Sequence, residues 1–360
     1  MKNQTLWAAM IASYMLATAC SGGPESSSSN TPASGGPGAT TSSAQINGAG
    51  ATFPNPIYSK WFFEYQKTHP DVRINYQSLG SGAGIRQLTS RTVFFGASDQ
   101  PMKDEQLAAA PGKILHFPTV LGAVVPIYNL AGVTQPLQFS GPLLADIVLG
   151  KVTRWNDPAI AKHNAGVSLP NADITFVHRS EGSGTTFIFA DYLGKVSPEF
   201  RSKVGVDSSL KWPTGVGGKG NEGVTGLVRQ TPGSLGYVEL VYAVQNKIAV
   251  GSVQNSAGTF ITPSVDSVTA AAAGAAASMP ADFRVSITNA PGTDAYPISS
   301  FTWLLLYEDP QDKNQGRQMK AFLQWALGEG QKMAPQLGYA RLPQPVVDME
   351  LKALEQLKVQ

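Results

Sequence analysis

The chain is poor in cysteine, in charge and in histidine, and each shortage closes off a class of explanation. One cysteine, Cys20, in 360 residues leaves no intramolecular disulfide. Charged residues make up 14%, the net charge is +2, and Lys and Arg are scattered rather than clustered. A nucleic-acid partner needs a basic face, so none is expected. The four histidines, His69, His116, His163 and His178, share no metal-ligand spacing. Neither a metal site nor a cofactor is expected. No segment repeats at a fixed period.

Two catalytic signatures are also missing. Gly182-Ser183-Gly184 is not a nucleophile elbow, because Glu181 stands where the elbow needs glycine. Gly217-Gly218-Lys219-Gly220 is not a phosphate-binding P-loop, because Gly220 follows the lysine and Pro213 falls on the leading glycine. That loop reads as structural or as a contact surface. No nucleophile–base pair can be named, and no enzyme is expected.

What is present begins at the N-terminus. Met1-Lys2 leads into a mostly apolar run from Leu6 to Ala19, too short for a membrane span. Residues 1–20 read as an export signal. The segment Leu16-Ala17-Thr18-Ala19-Cys20 resembles a lipoprotein box, with Leu16 one place further from the cysteine than usual. The alternative is an ordinary cleaved signal that contains a cysteine. Residues 21–44 are rich in Ser, Gly, Pro, Thr and Ala, a composition that cannot repay its ordering entropy and suits a tether.

The body has 42% hydrophobic residues, enough for a substantial core, and its length exceeds what one core usually serves. Two lobes are expected. Apolar positions 57, 58, 61, 62 and 65 predict a helix behind Pro56, and Val72–Tyr76 alternates as a strand. A short helix over Ile85–Leu88 follows the turn Leu79–Gly84, and Val93–Asp99 reads as a strand ending in a small-residue turn. Further on, Leu143–Leu149 and Met319–Leu327 read as helices, stopped by Gly150 and Gly328. Val268–Ala277 reads as a modest helix, and Leu235–Val238 and Phe301–Tyr307 as strands. Alternating strands and helices make the fold class α/β.

The most informative stretch is Val177–Phe187. A strand over Ile174–Val177 runs into Arg179, then a glycine-spaced hydroxyl turn, then the apolar start of a helix. Such a turn offers unpaired backbone N–H groups beside a permanent cation, a place that receives an anion. Thr52 and Phe53 precede the first helix, and Ser81 precedes the second, in the same topological position. Any one of these alone reads as an N-cap or turn residue; three together point to an anion cleft at the strand ends. Asp99 at a strand tip puts a carboxylate beside that cleft.

The blocks GAGATFPNPIYSKW, YQSLGSGAG, TVFFGASDQPM, HRSEGSGTTF, KWPTGVGGKGNEG and GSLGYVE, in order through most of residues 47–345, resemble the phosphate-binding protein of bacterial high-affinity phosphate ABC importers. The resemblance implies a two-lobed periplasmic-binding-protein fold of type II-like form, with a ligand cleft between hinged lobes. The apolar run Val120–Pro126 reads as a crossing between the lobes; with a second crossing near Tyr296, residues 45–120 and 296–360 form one lobe and residues 121–295 the other. By motif, the resemblance assigns Thr52, Phe53 (through its backbone), Ser81 and Asp99 to phosphate from one lobe. Arg179, Ser183, Gly184 and Thr185 come from the other. Glu181 stands where the family commonly has aspartate, placed to hold the arginine.

Phosphate near neutral pH keeps a proton and can donate it to Asp99, whereas sulfate cannot. The alternative for Asp99 is a cap on the turn at Gln100-Pro101. The expectation is therefore a periplasmic, lipid-anchored, monomeric receptor that delivers phosphate to inner-membrane permease subunits. The rivals are a receptor for another tetrahedral oxyanion such as sulfate, and a phosphomonoesterase reusing the cleft.

Overall fold

The helices and strands of the body follow the hydrophobic periods closely where packing is one-sided. A computed structural model of the chain describes residues 44–360. The export segment, Cys20 and the expected tether lie outside the described residues, except Ala44, which opens the first strand. In order come β1 (Ala44–Gly50), α1 (Asn55–Thr68), β2 (Val72–Ser78), α2 (Ser81–Thr89), β3 (Phe95–Ser98), α3 (Asp104–Ala108) and the long β4 (Ile114–Tyr128). Then follow β5 (Gln138–Phe139), α4 (Gly141–Val148), α5 (Pro158–Ala161), β6 (Thr175–Arg179), α6 (Gly184–Val196), α7 (Pro198–Lys203), β7 (Val216–Gly218) and α8 (Gly220–Gln230). The rest is β8 (Ser234–Glu239), α9 (Leu240–Gln245), β9 (Ala249–Val250), β10 (Ser252–Gln254), β11 (Phe260–Ile261), α10 (Val265–Ala272), α11 (Ala275–Ser278), β12 (Ser299–Tyr307), α12 (Lys313–Leu327) and α13 (Gln344–Ala353).

Helix α1 buries Ile57, Tyr58, Trp61 and Tyr65, the stripe its period predicts, with Phe62 only half-buried. Helix α12 starts six residues before the predicted Met319, where Asp312 caps it by accepting the Gln315 N–H at 3.0 Å. Its first turns are polar and carry no apolar period, so sequence pattern alone could not mark them. The predicted helix over Val268–Ala277 is two, α10 and α11, separated around Gly274. Helix α2 begins at Ser81 rather than Ile85. Its Gly84 permits this start, because a Cβ there would lie 2.6 Å from the Gly50 Cα of β1.

The main sheet has nine strands in the order β2-β1-β3-β12-β4-β8-β6-β7, with β9 also on β4. β1 pairs in parallel with β2 and β3, and β6 in parallel with β7 and β8. The antiparallel strands β12 and β4 join these parallel groups. Residues 114–123 of β4 pair with β12, and residues 124–128 pair with β8. A single strand thus serves both halves of the sheet, with β5, β10 and β11 forming a small separate sheet.

The C-terminal ends of β1, β2 and β6 each lead into a helix, and the two halves bring these ends face to face. Gly82 N–H donates to the Gly182 carbonyl at 3.0 Å across the cleft. The fold is therefore α/β with a closed cleft at the strand ends, where open α/β sheets place their ligands. Buried indoles anchor the core on either side: Trp61 donates to the Gly330 carbonyl and Trp155 to that of Gly233, both at 2.8 Å.

Candidate functional site

The turn after β6 arises because the strand ends on an arginine whose backbone is already tied down. The Arg179 N–H donates to the Tyr237 hydroxyl on β8 at 3.2 Å, and Phe189 of α6 stacks on the Tyr237 ring with centroids 4.4 Å apart. The chain then turns into α6, whose N-cap is Ser183: its Oγ accepts the Thr186 N–H at 3.1 Å. Ser183 and Thr185 are buried, and so is Arg179.

Arg179 does not stand free in the cleft. Its Nε donates to Glu181 Oε1 at 2.8 Å, its Nη2 donates to the same oxygen, and its Nη1 donates to Thr185 Oγ1 at 3.2 Å. Gly220 N–H adds a further bond to Glu181 Oε1 at 3.1 Å. Glutamate, though one methylene longer than aspartate, thus holds the guanidinium. A guanidinium has five N–H donors, and each terminal nitrogen keeps one for another partner.

Thr52, Phe53, Ser81 and Asp99 meet this turn from the opposite half. Ser81 Oγ accepts the Asp99 N–H at 3.2 Å and the Gly184 N–H at 3.0 Å. The Phe53 carbonyl accepts from the Tyr339 hydroxyl at 2.6 Å, and its ring packs against Gly122. Asp99 is 1% exposed; its Oδ1 accepts from the Thr302 hydroxyl at 2.7 Å, and its Oδ2 has no partner. A Cβ built on Gly184 would lie 2.6 Å from that free oxygen. Gly184 is thus required by close approach, and Asp99 Oδ2 looks across the cleft at the α6 turn. Burial raises the Asp99 carboxyl to about 7, against bonds from Thr302 and Ser81 and the field of Arg179, which favour ionisation.

Asn221, within the glycine-rich stretch that reads as structural or as a contact surface, completes the arrangement. It is fully buried at the start of α8. Its Nδ2 donates to Thr52 Oγ1 at 2.7 Å and to Thr185 Oγ1 at 3.3 Å, and its N–H donates to Thr52 Oγ1 at 3.2 Å. Its Oδ1 accepts the Glu239 N–H at 2.9 Å. The only sequence signal was an asparagine inside a glycine run, which reads first as a turn residue. Its bonds reach back 169 residues to Thr52.

These bonds set a direction for every hydroxyl that they touch. A hydroxyl oxygen has two lone pairs and one proton. Thr52 Oγ1 accepts twice from Asn221, Ser81 Oγ accepts from Asp99 and Gly184, and Thr185 Oγ1 accepts from Arg179 and Asn221. With both lone pairs committed, each can only donate its proton. The cleft therefore presents three hydroxyl donors, helix N-termini and a guanidinium, with Asp99 Oδ2 as the open acceptor among them. Such a lining recognises an oxyanion.

Glu239 lies beneath the site. Its Oε2 caps α9 by accepting the Val241 N–H at 2.9 Å, while its Oε1 is unpaired near Phe53 and Gly122. Burial, aided by the Asp99 charge, pushes its carboxyl well above the usual range. Sequence reading did not single it out.

This fold and cleft define a protein of the two-lobed periplasmic-binding class, and the PBP superfamily domain matches residues 35–329. Within that class the chain belongs to the phosphate-binding protein PstS family. It is 46% identical over 306 residues to the phosphate-binding protein PstS of Xylella fastidiosa strain 9a5c, covering 85% of this chain and 83% of that one. It is likewise 46% identical to PstS of Pasteurella multocida over 84% of this chain and 87% of that one. The crystal structure of the phosphate-binding protein from Stenotrophomonas maltophilia superposes with a TM-score of 0.66 at 18% identity, over 86% of this chain and 93% of that one. It shares the fold.

Proposed function

We propose that this protein is an exported receptor that captures inorganic phosphate in the cleft and delivers it to the permease subunits of an inner-membrane ABC phosphate transporter. The observation that carries the reading is the single open acceptor, Asp99 Oδ2, in a buried lining of committed donors. Hydrogen phosphate has oxygens for the donors and a proton for the acceptor. Sulfate has only oxygens, so it would set an unprotonated face against an ionised carboxylate, a mismatch that costs far more than size selection. Membership of the PstS family supports the same ligand.

In this reading Thr52, Phe53, Ser81 and Asp99 bind phosphate from one lobe, and Arg179, Ser183, Gly184 and Thr185 from the other. The lobes comprise residues 45–120 with 296–360, and residues 121–295. Glu181 orients Arg179. Closure replaces the anion's water with fixed donors, and opening at the permease releases it. The protein acts as a monomeric binder rather than an enzyme, in the periplasm, held to a membrane by lipid on Cys20. Among the described residues no helix is long and apolar enough to cross a membrane.

Calorimetric titration of the protein with phosphate and with sulfate tests the core claim. Tight phosphate binding with weak sulfate binding is expected; equal binding of the two would assign the cleft to tetrahedral oxyanions in general. Turnover of a chromogenic phosphate ester would overturn the non-enzymatic reading. Mass spectrometry of the exported protein reads the lipid on Cys20.

A further inference from the structure

The geometry behind Asp99 is as specific as the geometry in front of it. β3 and β12 are antiparallel with Trp303 opposite Ser98, and one more step in that register sets Thr302 opposite Asp99. On its other side, β12 pairs with β4 through a register shift between Thr302 and Trp303: Thr302 faces Val120 and Trp303 faces Pro118. The extra residue is Thr119. Pro118 has no N–H to lose from the ladder, so the bulge forms there at little cost. Bulges re-aim side chains, and this one sits directly behind the cleft.

A buried chain of bonds then holds Thr302 in place. Thr119 Oγ1 donates to the Thr302 carbonyl at 3.1 Å, which leaves its lone pairs to accept from the Tyr58 hydroxyl at 2.8 Å. The Thr119 carbonyl accepts from Gln331 Nε2 at 2.8 Å. Thr302 is fully buried, and its hydroxyl donates to Asp99 Oδ1 at 2.7 Å. Ser81, the neighbour on the near side, accepts the Asp99 N–H and favours the ionised carboxylate less than Thr302 does, and Oδ1 takes its hydrogen bond from Thr302. A hydroxyl held this way donates a hydrogen bond to the carboxylate and thereby favours the charged form.

We propose that Thr302 is a specificity-determining positioning residue. By donating to Asp99 Oδ1 it keeps the carboxylate an acceptor and turns Oδ2 alone toward the ligand, so that the cleft takes an oxyanion bearing a proton and refuses one without. This rests on the reading of the cleft as a phosphate site. Without the Thr302 hydroxyl, Asp99 would hold its own proton to higher pH. A protonated Asp99 donates rather than accepts, and sulfate could then satisfy it.

The other charged and titratable groups around Asp99 come from every adjoining element. Arg179 on β6 favours its ionised form, while Glu239 at the end of β8 interacts with it unfavourably when both are charged. Tyr58 of α1, Tyr76 of β2 and Tyr339 complete the surround, and burial pushes all three hydroxyls far up, leaving them neutral. None of them bonds to Oδ1, so Thr302 is the group whose removal acts on the carboxylate selectively.

The test is calorimetric titration of the wild type, Thr302→Val and Thr302→Ser with inorganic phosphate and with sulfate, at pH values on both sides of about 7. In Thr302→Val the phosphate-to-sulfate affinity ratio is expected to fall by about tenfold or more at the alkaline end. The pH at which discrimination is half lost should also rise, and Thr302→Ser should restore both. Thr302→Ala, with folding checked by circular dichroism, is a second removal of the hydroxyl in case valine does not pack. A merely structural role would weaken both anions together and leave ratio and midpoint in place; that result in a wild type selective for phosphate would overturn this inference alone. A wild type that binds no phosphate would overturn the reading of the cleft and this inference with it.

Discussion

The Ser81 hydroxyl oxygen lies 3.0 Å from the Gly184 N–H, so the first residue of α2 and the first residue of α6 are bonded directly across the cleft. The same oxygen accepts the Asp99 N–H. Contact across the cleft, the polarity of a donor and the position of the Asp99 carboxylate therefore converge on one atom. Two helix N-termini point their positive ends at the space between them. Bringing them together is costly without an anion, which links closure to occupancy.

Gly184 should tolerate no side chain. A Cβ there would lie 2.5 Å from Ser81 Oγ and from Asp99 Cβ. Gly184→Ala is expected to cost on the order of 100-fold or more in phosphate affinity, because the halves cannot close to bonding distance. Thermal stability of the ligand-free protein should change little. Calorimetry with small-angle scattering in the presence of phosphate reads both; a compact, tightly binding variant would contradict the closed geometry.

Asp99→Asn should weaken discrimination more than it disturbs the fold. The amide can donate to sulfate, so sulfate affinity rises while phosphate loses its proton acceptor. The wild type should show the same trend with pH. Its Asp99 titrates near 7, so discrimination against sulfate is expected to be greatest above that value and to decline as acid protonates the carboxyl. Competition titrations across that range check the sign; a ratio independent of both pH and the substitution would rule out Asp99 as the acceptor.

Asn221→Asp tests the direction of the hydroxyls. A carboxylate at this position would accept the protons of Thr52 and Thr185, turning both donors away from the anion and adding like charge. The expected loss is on the order of 100-fold in phosphate affinity, larger than that of Asn221→Ala, which removes the bonds without reversing them. Equal losses in the two variants would show that Asn221 only packs.

Glu239→Gln addresses stability. The buried carboxyl titrates well above its unfolded value, so the stability present below that unfolded value is lost as pH rises through the folded one. Asp99 adds a loss of the same sign near pH 7 in the ligand-free protein. Glu239→Gln is expected to match or exceed the wild type in melting temperature in alkaline buffer, with the gap closing in acid. Thermal melts in a pH series test this, and a gap widening toward acid would show that Glu239 is charged in the fold.

Local chemistry explains which parts of this protein could be read from the chain. The stripe 57, 58, 61, 65 needed only the helical period and one buried face, and α1 buries those residues. The strand ending in Arg179 and the hydroxyl turn leading into α6 are likewise properties of consecutive residues. Helix starts without apolar period, as in α12 and at Ser81, were misplaced because a cap or a close backbone approach defined them.

Asn221, Thr302 and Glu239 carry no such local mark. Asn221 sits in a glycine-rich loop and Thr302 in an apolar strand, and each acquires its role from a partner far away in sequence; Glu239 caps the next helix locally, but its free oxygen is enclosed by the distant Phe53 and Gly122. The sequence by itself determined the α/β alternation, the helix N-termini with their hydroxyls, and the presence of a carboxylate at the tip of β3. The tertiary structure decided which way each hydroxyl points and which oxygen of Asp99 remains open. Those outcomes depend on register, on the bulge at Thr119 and on contact between distant strand ends, and a hydrogen-bond direction is not defined until both of its atoms have been brought together.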